Sequence, residues 1–429
     1  MARSIRSRRA LRKHGDPGVP KIQKIELSNK HLALRIAAAA AFLVIGAAAL
    51  AYAFQGFFSP SEDWTQISAN SSELNCSADF TLLYRLGAAG KSASAENRAL
   101  TSIYTDAAVK AYRLFNAEDH FEEITNVFDI NEAPNSVLTV DPVLYDAFST
   151  LEKCDSRALY LGPIYDRYEN LFFCEDDFQT VYFDPYQDDA IRAEFEEVAA
   201  FAGDSDAVEL ELLGENQVRL RVSEEYLAYA EKNEISHFID FFWLKNAFIV
   251  DYFASTLRDQ GYTYGSISSF DGFSRNLDSE SDTVYGYTLF DRIDSLIYPA
   301  AEMTYQKARS IVCLRDYPID DEDSMLWYTF QNQEVRAPYI DLADGLPKAA
   351  LKNLVAYSET SSCAEIALKL LPIYATDQFD SAALGQLAAM GVHSVWFQGT
   401  TLLHSESDLI LNNLYEDGTV RFTAKMALD

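Results

Sequence analysis

The chain has 429 residues, 48% of them hydrophobic and 13% aromatic, which is enough apolar material for a packed core and too much for a disordered chain. Its formal net charge is −30, from 65 Asp and Glu against 35 Lys and Arg. An acidic excess of that size repels phosphate backbones and sets nucleic acid aside as a partner.

The charge is unevenly placed. Residues 1–35 carry Arg3, Arg6, Arg8, Arg9, Arg12, Lys13, Lys21, Lys24, Lys30 and Arg35 against only Asp16 and Glu26, and Ile36–Phe54 then runs without a charge. Nineteen residues at about 1.5 Å rise span roughly 28 Å, the thickness of a bilayer hydrocarbon core. The pattern predicts one transmembrane helix over 36–55, with the basic side held in the cytoplasm and the remainder outside the cell membrane. A cleaved signal peptide is the competing reading, because Ala47-Ala48-Ala49 offers a small-residue cleavage site. The long basic flank and full-length apolar run favour an uncleaved anchor. The expected organisation is therefore a cytoplasmic tail (1–35), a membrane helix (36–55), a juxtamembrane linker (56–100) and an extracytoplasmic domain (101–429).

Within the linker, Gly87–Ser92 ends like a phosphate-binding loop, but Arg85 stands where that loop needs its first glycine, so the match is rejected. Helical spacing predicts helices over Thr101–Phe128, over Asp141–Leu151 with Pro142 in the first turn, and over Asp189–Gly203. Val208–Val222 alternates about Gly214-Glu215-Asn216 and reads as a β-hairpin. His237–Gly261 reads as a short strand followed by a helix. Its Asp240, Lys245, Asp251 and Arg258 exclude a second membrane span. Strands are expected at Ser266–Ser274, Val284–Phe290, Leu326–Tyr339, Ala350–Tyr357, Val392–Gln398 and Val420–Met426, with helices at Ser362–Tyr374 and Asp380–Met390. Mixed elements without strict alternation give an α+β fold. The five cysteines contain no C-x-x-C and cannot all pair within one chain, which leaves none, one or two disulfides open. His120, His237, His393 and His404 show no H-x-x-x-H spacing, which argues against a histidine-based metal site.

Five patches, in one order, carry a resemblance: Asn135–Leu144, Leu161-Gly162-Pro163-Ile164-Tyr165, Ile239–Gly261, Ser268–Gly272 and Tyr339–Pro347. Together they resemble the FAD:protein FMN transferase (ApbE) family, which cleaves FAD with a divalent metal and attaches FMN to Ser or Thr of target proteins. The resemblance implies a flavin-transferase domain, FAD and Mg²⁺ as cofactors, and an unidentified protein target. It places Asp240, Lys245, Gly272, Asp341 and Gly345 at flavin-binding positions. It also shows losses: Asn246 and Asp271 stand at glycine places, Pro338 at a histidine place, and Asp344 at a threonine place.

The family's Asp-Ala-x-x-Thr metal helix is matched by Ser362–Leu370, with Glu365 at the carboxylate place and Lys369 at the hydroxyl place. A charged lysine cannot ligate a cation, and Glu365 with Lys369 is also an ordinary i,i+4 helix pair. The expectation is a weakened or inactive transferase, or alternatively a non-catalytic flavin- or partner-binding envelope scaffold of the same fold.

Overall fold

The computed structural model describes residues 64–71, 76–88, 90–278, 283–319 and 325–427. The chain divides into two units, Met1–Ser59 and Pro60–Asp429, and all described residues lie in the second. The expected membrane helix falls outside the described residues, and among them no helix is long and apolar enough to cross a membrane.

The frame is a nine-stranded sheet whose spatial order follows the chain: Trp64–Ile67, Phe80–Arg85, Gly265–Ser269, Phe273–Asn276, Ser310–Arg315, Asn353–Ser358, His393–Gln398, Thr401–His404 and Thr423–Met426. Every pairing in it is antiparallel except the last, where Thr401–His404 runs parallel to Thr423–Met426. The stretch expected to be a linker thus supplies the first two strands, and Phe80–Arg85 is locked between Trp64–Ile67 and Gly265–Ser269.

The two central strands, Ser310–Arg315 and Asn353–Ser358, are buried along their whole length. Val312, Leu314, Leu354 and Ala356 enter the main core, which also takes in the helices Ala93–Leu114, Lys245–Asp259 and Cys363–Tyr374. Ile311, Cys313, Val355 and Tyr357 face a second core under the hairpin Tyr285–Ile293/Leu296–Tyr305. Burial on both faces removes the alternation by which a strand is recognised, and Ser310–Arg315 goes unmarked in the sequence for that reason.

Local chemistry moves several boundaries. The first helix begins at Ala93, because Ser92 caps it, and it stops at Leu114 rather than running to Phe128. Beyond it, Asn116 Oδ1 accepts the backbone N–H groups of Glu118 and Asp119, and Asn126 caps a separate helix, Val127–Glu132. Asparagine side chains here compete with helical hydrogen bonds. No strand forms at 237–241. Asp240 Oδ1 instead accepts the Phe242 N–H at 3.0 Å, and the chain turns through Phe242–Leu244 into the helix. Leu326–Tyr339 is a small hairpin of two-residue strands, Tyr328–Thr329 and Val335–Arg336, not one strand. All five cysteines are free.

Candidate functional site

The Lys245–Asp259 helix organises the candidate site, with a cleft at its N-terminal end and a larger cavity along its middle. The cleft is lined by Asp79, Glu169, Phe173, Phe242, Trp243, Lys245, Asn246, Phe270, Asp271, Met325 and Leu326, and its volume is about 130 Å³. Lys245 is exposed at its rim, while Asn246 and Asp271 are 2% and 3% exposed. Asn246 Nδ2 donates to Asp271 Oδ2 at 3.1 Å. The other side-chain oxygens of both residues, Asn246 Oδ1 and Asp271 Oδ1, are buried without a hydrogen bond.

Burial pushes the Asp271 carboxyl up to about 7. The same cause, reinforced by the neighbouring Asp240 and Glu118 carboxylates, pushes Glu169 up to about 7. Asp240 is raised by burial and held back partly by its hydrogen bond from Phe242 and by Lys245.

The cavity, about 480 Å³, is bounded by Phe115, Val143, Phe248 and Tyr252 on one side and by Asp251, Arg275, Ser362 and Glu365 on another. Asp251 is fully engaged. Its Oδ1 accepts from Cys363 N (3.0 Å) and Arg275 Nη1 (2.7 Å), and its Oδ2 accepts from Ala364 N (2.9 Å). An acidic group at a helix start satisfies N–H groups that have no partner within the helix. Glu365 closes a capping box with Ser362: its carboxylate accepts the Ser362 N–H at 3.0 Å, and its own N–H donates to Ser362 Oγ at 3.2 Å. It caps its helix rather than pairing with Lys369.

The residues read from the resemblance do not converge. Lys245 lines the cleft, and Asp240 acts on it electrostatically. Gly272 lines a neighbouring cavity with Tyr287, Cys313 and Arg315. Its φ is +111°, and a Cβ there would lie 2.4 Å from the Cys313 carbonyl oxygen, so only glycine fits. Asp341 and Gly345 belong to a loop tied down by Lys348, whose ammonium reaches Asp341 (2.9 Å), Asp344 (2.7 Å) and Asp377 (2.9 Å). They line neither the cleft nor the cavity. Glu365 lines the cavity, whereas Lys245 lines the cleft.

Tested against the cofactors, this donor set fits poorly. Both oxygens of Asp251 are committed, one oxygen of Glu365 holds a backbone N–H, and Lys369 stands one turn on, so the Glu365 helix does not offer Mg²⁺ the carboxylate-plus-hydroxyl pair that the resemblance places there. At about 130 Å³ the cleft beside Lys245 falls below the roughly 300–1,000 Å³ of small-molecule sites, and the Asn246–Asp271 pair occupies its floor. The Asn246–Asp271 partnership is not legible in the sequence, because the two residues lie 25 apart in the chain and only the packing of the Lys245–Asp259 helix on the sheet brings them together.

No protein-family model matches the chain, and no curated protein matches it in sequence. Solved structures do match: the fold is ApbE-like, that of the flavin transferases. The ApbE protein of Thermotoga maritima superposes with a TM-score of 0.53 at 12% identity, over 78% of this chain and 94% of that one. The flavin transferase ApbE of Vibrio cholerae gives 0.49 at 11% identity, over 82% and 97% of the two chains. The flavinyl transferase ApbE of Pseudomonas stutzeri gives 0.47 at 11%, over 79% and 91%.

Proposed function

We propose that this chain is a single-pass membrane protein whose extracytoplasmic flavin-transferase-type domain has weakened or lost FMN transfer. A fold does not by itself carry an activity. One observation carries the reading: at two places where the ApbE pattern has glycine, Asn246 and Asp271 meet in a buried hydrogen bond and narrow the cleft beside Lys245. The capping role of Glu365, with Lys369 in place of a hydroxyl, supports it from the metal side.

The test is incubation of the protein with FAD, Mg²⁺ and an acceptor domain, followed by mass spectrometry of the acceptor. The expected result is little or no FMN adduct, and a robust adduct from the unmodified chain would overturn the reading. Topology is tested separately. A reporter fused after Asp429 should act only outside the cell, and protection of the domain from protease in spheroplasts would sink the orientation.

The alternative, a flavin- or partner-binding scaffold of the same fold, is favoured by the cavity of about 480 Å³ along the Lys245–Asp259 helix, which is of ligand size. A flavin absorbance that copurifies with the chain, without adduct formation, would select it.

A further inference from the structure

On the other side of the cleft, the chain gathers a histidine and carboxylates that the transferase reading does not use. Glu118 lies in the loop after the first helix, Asp166 on the Gly162–Tyr168 helix, and His237 just before the turn into the Lys245–Asp259 helix. Among the described residues these three form a group whose ligand atoms all lie within 4.8 Å of one another.

His237 is 8% exposed, and its Nδ1 is buried without a hydrogen bond. That nitrogen is 3.4 Å from Asp166 Oδ1 and 3.9 Å from Glu118 Oε1. These separations are long for a charge-assisted hydrogen bond, which runs at about 2.7–2.9 Å. The 3.4 Å separation suits two donors sharing one ion, since ligands at about 2.0–2.1 Å on a tetrahedral metal stand roughly 3.4 Å apart, and the exposed Glu118 carboxylate at 3.9 Å has to close by about 0.5 Å to join them.

The backbone behind the histidine is fixed. Asn131 Nδ2 donates to the Ile239 carbonyl at 2.9 Å, Asn131 Oδ1 accepts the Ile239 N–H at 3.0 Å, and the Asp240 N–H donates to the Leu159 carbonyl at 3.0 Å. The imidazole is therefore presented from a rigid segment, while Glu118 and Asp166, with side chains 59% and 47% exposed, leave an approach from solvent. Asp240 and Glu169 act electrostatically on the same cluster and add negative charge, opposed by Lys245.

We propose that Glu118, Asp166 and His237 form a binding site for one divalent transition-metal ion, held by one imidazole and two carboxylates with its remaining positions open to solvent. Imidazole with carboxylate suits Zn²⁺ or Mn²⁺ better than Mg²⁺, which prefers oxygen alone. The site is separate from the Glu365 helix and does not depend on flavin chemistry.

The test uses the full-length chain in detergent, stripped of metal by chelator and dialysed against Zn²⁺ or Mn²⁺, with bound metal quantified by elemental analysis and affinity by calorimetry. One equivalent is expected. Affinity should fall at least tenfold in His237→Gln, in Glu118→Gln and in Asp166→Asn, and should be unchanged in Glu365→Gln. The two exposed carboxylate variants keep the test valid if the histidine variant fails to fold. Absence of binding, or binding that survives Glu118→Gln and Asp166→Asn, as adventitious capture by His14 and His31 would, overturns the proposal. So does loss of binding in Glu365→Gln alone.

Discussion

Replacing Asp271 by Asn should stabilise the protein at neutral pH by an amount that depends on pH. The carboxyl is 3% exposed, and burial raises it from the ordinary aspartate value of 3.8 to about 7. A raised carboxyl binds its proton more tightly in the folded state than in the unfolded state. Its contribution is therefore unfavourable above the unfolded value, grows as pH rises from about 4 to about 7, and is constant beyond. At about 1.4 kcal/mol per pH unit, the cost reaches roughly 4 kcal/mol at pH 8 and only about 1.5 kcal/mol at pH 5. The groups facing Asp271 are Asp79, which raises it further, and Asn246, Ser269 and Arg315, which oppose the rise. An Asn at 271 removes the charge and brings a donor next to the unbonded Asn246 Oδ1. Urea unfolding of wild type and Asp271→Asn at pH 5, 6, 7 and 8 gives the stability difference, in which the other titrating groups cancel. The variant's advantage should widen by a few kcal/mol from pH 5 to pH 8. A difference that is flat with pH, or that turns against the variant at pH 8, would refute the reasoning.

Other substitutions test the frame around the site. Gly272→Ala, which puts a methyl group against the Cys313 carbonyl at a φ of +111°, should cost on the order of 3 kcal/mol and lower the thermal midpoint clearly. Asp251→Asn weakens the cap on the Cys363–Tyr374 helix and removes the charge that pairs with Arg275. A loss of about 2–4 kcal/mol is expected, with faster amide exchange in the first turn of that helix. Lys245→Ala should leave stability within about 0.5 kcal/mol because the side chain is exposed. If Lys245 serves a flavin, fluorescence titration should show weaker FAD binding in this variant.

Legibility in the sequence followed the range of the interactions. The hairpin Val208–Gly214/Gln217–Val222 and the helix Asp189–Gly203 were plain because turn residues and periodicity are local. The helix Pro142–Lys153 was equally plain, since Asp141 caps it through the Val143 N–H and Pro142 begins it. The strand Leu296–Tyr305 was hidden, with Pro299 falling at an irregular point in its pairing with Tyr285–Ile293. The Ser/Ala-rich stretch before residue 100 looked like linker by composition, yet Ser92 makes it a capped helix start, and alanine is the best helix former.

What the sequence determined alone was the mixed class of the fold, the order of the motifs that resemble a flavin transferase, and the chemical losses at Asn246, Asp271 and Lys369, because each of these resides in residue identity at a fixed place in a pattern. The tertiary structure decided which of those residues meet. Packing of the Lys245–Asp259 helix on the sheet sets Asn246 against Asp271 in a turn between two strands, the start of the Cys363–Tyr374 helix engages both oxygens of Asp251 and one of Glu365, and the loop of Asp341 and Gly345 is carried away to an ion cluster around Lys348. It also joined His237 to Glu118 and Asp166, which lie more than seventy residues away along the chain and show no ligand spacing. Spacing motifs report only sites built within one element, whereas these side chains are brought together by packing between elements, a property of the folded core rather than of any local run.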